Sequence, residues 1–233
     1  MGTMRRGSST VIAIVGDVSA ELLALLDRPS NVAVLEPPAT GAEGAREAFA
    51  RAERLQATYA VVAADPLGSV ASEWHKMWSP GTGHRFEERA GEAVTDWRRG
   101  RLELPDYYVV VVEKPHAPSS ENHAEPHPND FHLGVLRSQR PSRVAEVVAA
   151  QAAETAARTL STLAELRQGP WWPGLDQLVT SIRSFFPGGL AAVGEGVSYA
   201  ATFQDSLVRP DPIGRGPAPG DGAISSGEAG RVS

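Results

Sequence analysis

The stretch "DYYVVVVEKP", residues 106–115, decides how this chain folds. An unbroken apolar run of aromatic and β-branched residues, closed by Glu113, Lys114 and Pro115, reads as a strand with no polar side to turn toward water. Strands of that kind belong to parallel sheets, which helices cover on both faces.

The same signature recurs earlier in the chain. "TVIAIVGD" (10–17) is a continuous β-branched run ended by Gly16 and Asp17, "NVAVLEPP" (31–38) is stopped by two prolines, and "TYAVVAADP" (58–66) ends at Asp65-Pro66. Helical periods fill the gaps. The segment 19–28 is a short apolar helix halted before Pro29. Phe49, Ala52 and Leu55 share one face of the next helix, Val70, Trp74, Met77 and Trp78 one face of 67–78, and Phe86, Ala90, Ala93 and Trp97 one face of 85–100. Asp65 is placed to cap the helix at 67–78, with Pro66 at its first position. Strands alternating with helices of this length predict an α/β fold: a mainly parallel sheet flanked by helices, Rossmann-like or flavodoxin-like but without a phosphate loop.

Beyond residue 115 the pattern changes. "FHLGVLRS" (131–138) is taken as a fifth strand, and 140–168, rich in strong helix formers, as one helix of roughly 40 Å. A second amphipathic helix follows at 173–186. The expected layout is a flexible N-terminus at 1–8, an α/β domain at 9–138, a helical extension at 139–208 and a disordered, Pro/Gly/Ser-rich tail at 209–233.

Composition excludes several classes of function. There is no cysteine, which removes disulfides, iron–sulfur clusters and thiol nucleophiles and fits a cytoplasmic protein. The net charge of −6, with no dense Lys/Arg segment, argues against nucleic acid as a partner, and no apolar run is long enough to span a membrane. The segment "VGDVSAEL" follows a strand and opens a helix, yet it lacks the glycine patterns of phosphate-binding loops. No GxSxG elbow is present either.

Three places remain where chemistry can sit. In open α/β sheets ligands bind outside the carboxyl ends of the strands, and those ends carry Asp17, Glu36, Asp65 and Lys114. The stretch "ENHAEPHPNDFH" (121–132) gathers His123, His127 and His132, candidate ligands for a divalent metal such as Zn²⁺, Ni²⁺ or Mn²⁺. Pro126 and Pro128 forbid the helix that would set His123 and His127 on one face, so the stretch reads first as a loop. It begins where 106–115 finishes, so its histidines are expected at the same end of the sheet as Asp17 and Asp65. The third place is "GPWWPG" (169–174), whose Trp171 and Trp172, together with Phe185 and Phe186, form a candidate interface for a protein partner or a second copy. On these grounds the leading expectation is a non-catalytic binding or assembly protein acting through its helical extension. The alternative is a divalent-metal-dependent enzyme or small-molecule sensor with its site at the strand ends.

Overall fold

A computed structural model of the chain describes residues 9–37, 42–52, 54–78, 82–116 and 126–184. Five parallel strands form one sheet: β1 (Thr10–Gly16), β2 (Val32–Leu35), β3 (Tyr59–Val62), β4 (Tyr107–Val112) and β5 (Val144–Val148), in the order β2-β3-β1-β4-β5. The expected α/β architecture is therefore present. All six residues of β4 are buried, as its unbroken apolar sequence requires.

Successive side chains of each strand point to opposite faces, and the core divides accordingly. Val11, Ala13, Tyr108, Val110 and Val112 face one apolar cluster, while Ile12, Ile14, Tyr107, Val109 and Val111 face the other. The first cluster is closed by α2 (Ala42–Ala52), α3 (Gly68–Met77), α4 (Phe86–Arg98) and α7 (Leu175–Ser184). The second is closed by α1 (Ala20–Leu26) and α6 (Ala152–Glu165). The chain moves one way along the sheet only from β1 to β2, through α1, and the other way through helices on the opposite face. Opposite directions on opposite faces preserve a single crossover hand. Among the described residues no helix is long and apolar enough to cross a membrane.

Two elements differ from the sequence expectation. Residues 131–138 are not a strand: Phe131–Leu136 form a π-helix that runs into the short α5 (Arg137–Gln139). A short apolar run reads alike as a buried strand or a buried helical turn, and all six residues of this one are buried. The slot beside β4 is instead filled by "VAEVV", which lies inside the segment expected to be a single long helix. There a 3₁₀ turn (Pro141–Arg143), β5 and α6 replace the helix. Val144, Val147 and Val148 suit a pleated, packed surface, so tertiary pairing overrides the helical preference of the surrounding Ala and Glu. The strand and the helix after it thus come from the segment read as the start of a separate extension. The expected N-terminus 1–8 and the tail at 209–233 lie outside the described residues, as do 185–208.

Candidate functional site

The residues expected at the strand ends separate into two kinds. Asp17, Glu36 and Lys114 are exposed. Gly16 explains the turn before Asp17: its φ is +91°, and an added Cβ would stand 2.1 Å from the Val111 carbonyl oxygen. That close approach lets the Asp17 N–H donate to Val111 O at 2.9 Å. Asp65 alone enters a network. Its Oδ1 accepts from the Leu67 N–H at 2.8 Å, which turns the chain out of β3, and from the Tyr108 hydroxyl at 3.2 Å. The helix after it begins only at Gly68, with Leu67 in the capping position. Asp65 therefore closes a turn before the helix, not the helix end that the sequence suggested.

The second oxygen of Asp65, Oδ2, meets His132 Nε2 at 3.0 Å. A carboxylate can only accept, so Nε2 carries a proton, and in the neutral ring Nδ1 is then an acceptor. His132 sits on the π-helix, a local widening that occurs mostly as single turns and often at functional sites. The Tyr108 and Phe131 rings lie 5.3 and 5.4 Å from its ring. Its side chain is 7 % exposed, and Nδ1, fully buried, has no hydrogen-bond partner. Buried polar atoms of this kind are rare, and leaving one unsatisfied costs about 1–3 kcal/mol. Tyr108 sits deeper still, and burial, followed by the charge of Asp65, holds its phenol well above the ordinary tyrosine range.

His116, His127 and His75 lie around Asp130 and Pro128. His116 Nδ1 faces Asp130 Oδ1 at 3.2 Å, and Asp130 Oδ2 accepts from the His127 backbone N–H at 2.7 Å. His127 is exposed, and its Nδ1 accepts from the Asn129 N–H at 3.3 Å. His75 of α3 bonds the Pro128 carbonyl oxygen through Nε2 at 2.9 Å. Burial holds the His75 imidazole below its ordinary pKa, against the Pro128 hydrogen bond and the charge of Asp130, which push it up. Farther round, the His116 N–H and Arg137 share Glu146 of β5. His123 lies outside the described residues. Among the described residues no three His, Asp or Glu side chains converge as a metal ion requires.

The aromatic turn packs at the start of β4. Trp172 is 5 % exposed, donates from Nε1 to the Pro105 carbonyl oxygen at 2.7 Å and packs edge-on against Tyr108. The Arg143 guanidinium lies between the Tyr107 and Trp171 rings, 4.9 and 4.7 Å from their centroids, and donates to the carbonyls of Asp106, Gly169 and Pro170. Both tryptophans therefore stitch the turn to the segment entering β4. Phe185 and Phe186 lie outside the described residues. Leu175, Leu178, Val179 and Ile182, the apolar face of α7, are all buried in the chain's own core.

Of the residues singled out in sequence, the structure joins Asp65 to His132 by a hydrogen bond. Tyr108, Asp130 and His75 were not singled out. Tyr108 carried one usable signal, since a tyrosine inside a fully buried strand has to find a partner for its hydroxyl. Comparison of the chain with family models, with characterised proteins and with solved structures gives no match.

Proposed function

We propose that this chain is a small-molecule-binding α/β protein whose site lies beside the carboxyl end of β3, and that His132, oriented by Asp65, is the group that meets the ligand. The observation that carries this reading is the buried, unpartnered Nδ1 of His132. A bare imidazole nitrogen held by a carboxylate on its far side is both a hydrogen-bond acceptor and a base. Its surroundings are aromatic, so the fitting ligand is a compact, largely apolar molecule bearing one O–H or N–H donor. If that donor is acidic enough to yield its proton, the same geometry performs general-base catalysis; otherwise the protein acts as a sensor or carrier. A location beside a strand's carboxyl end agrees with the general placement of ligands in open α/β sheets. A cytoplasmic setting without a nucleic-acid partner accords with the absence of cysteine and the net charge of −6.

Assembly through the segments beyond residue 139 has less support. The apolar face of α7 and Trp172 are spent inside the molecule, and neither is on offer to a partner.

A thermal-shift screen of small phenols, alcohols, amides and amines against the full chain tests the proposal. Hits should stabilise the wild type and not His132→Gln, with the variant still folded by circular dichroism. Hits that stabilise both chains equally, or no hit from any of these classes, would sink it.

A further inference from the structure

A recess opens away from His132. A cavity of about 570 Å³ lies between α2, the start of α3 and α4. That volume falls within the usual range for small-molecule sites, roughly 300–1,000 Å³. Its charged walls are Arg46, Arg89 and Arg101 against Glu92 and Asp96, which leaves one positive charge in excess. Such an excess stands out in a chain with a net charge of −6. A smaller annex of about 160 Å³ shares Arg46 and Arg101 and adds Glu103, which leaves one positive charge in excess there too.

We propose that this chamber binds a small molecule through an anionic head group, a phosphate or a carboxylate, held by Arg89 and Arg101 beside Arg46. Asp96 is the brace. Its Oδ2 accepts from Arg46 Nη1 at 2.7 Å, its Oδ1 from Arg101 Nη2 at 2.6 Å, and its backbone carbonyl from the Arg101 N–H at 2.8 Å. One carboxylate thus fixes two guanidiniums. Arg89 is turned along α4 by Glu92, 2.7 Å away. In these contacts Arg89 and Arg101 each spend a single terminal nitrogen, whereas a guanidinium carries five N–H donors in a planar fork. The Arg89 and Arg101 side chains are 30 % and 52 % exposed. Ion pairs that open to solvent are weak, so an incoming anion can share or replace their carboxylate partners at little cost. The Ser69 hydroxyl, at the start of α3, adds a polar group to the same wall.

The test titrates the full chain with inorganic phosphate and, separately, with citrate, each against sodium chloride at equal ionic strength, reading melting temperature and heats of binding. At least one of the two anions should stabilise the protein beyond chloride, and the stronger names the head group. Arg89→Ala and Arg101→Ala should each weaken that binding by about tenfold, the loss expected for a charge-assisted pair. Arg28→Ala, just after α1 on the other face of the sheet, should not. Arg89 contacts only its own helix in this cluster, so its variant keeps the test decisive if Arg101→Ala unfolds. The proposal is overturned if neither anion exceeds chloride, or if both groove variants bind as Arg28→Ala does.

Discussion

At the residue scale, Asp65 ties together a turn, a strand and a π-helix through three hydrogen bonds. Replacing Tyr108 by Phe removes one of them and leaves Asp65 with two donors, so it should cost about 1 kcal/mol in urea unfolding. Asp65→Ala strands the Tyr108 hydroxyl and the His132 N–H in the core and should cost about 3 kcal/mol. Combining the two should be less than additive, because the second substitution removes a group that the first had already left unpaired. His75 offers a pH signature. Burial lowers its pKa in the fold, so the folded state prefers the neutral ring. Its contribution is complete above the unfolded value of about 6.5 and is lost as pH falls from there toward the lower folded value. Urea unfolding between pH 7.5 and 5 should therefore show declining stability, and His75→Gln should flatten that slope. An equal slope in the variant would assign the decline to other groups.

At the element scale, β4 and β5 make the sheet's second half, and one was legible in sequence while the other was not. Tyr107–Val112 admits only one reading, because six apolar residues with no polar side leave nothing for a surface helix to show to water. Val144–Val148 contains Ala145 and Glu146 and is followed by an alanine-rich run, so local preference pointed to a helix, and only the vacant position beside β4 makes it a strand. The π-helix was hidden for a related reason: burial on every side erases the periodicity that separates helix from strand. In the site, Asp65 and His132 were visible separately as a strand-end acid and a loop histidine. Both were expected at one end of the sheet, but which histidine would bond Asp65, 67 positions away, depends on the π-helix and was not legible. Because β5 and α6 complete the sheet, a chain ending at Gln139 should fail to fold rather than lose a partner. Circular dichroism of that truncation should show no cooperative melt, and a native-like melt would contradict the assignment of β5. Leu178→Ala, at a fully buried position of α7, should cost about 3 kcal/mol in urea unfolding, whereas an exposed α7 would lose almost nothing.

At the scale of the whole molecule, the order β2-β3-β1-β4-β5 places β1 in the centre and lays the chain from β3 to β4 across one face. That face holds the aromatic cluster in which His132 lies, together with Asp65 beyond β3 and Tyr108 on β4. The orientation of a single imidazole therefore depends on β3, β4 and the π-helix docking together. Ring ¹⁵N spectra of His132 in the intact chain at neutral pH, recorded for the wild type and for Asp65→Asn, report that orientation directly. The expected result is a proton on Nε2 and a bare Nδ1 in the wild type, with this pattern lost in the variant. A proton on Nδ1, or spectra unchanged by Asp65→Asn, would contradict the claim that Asp65 holds His132 ready for a ligand.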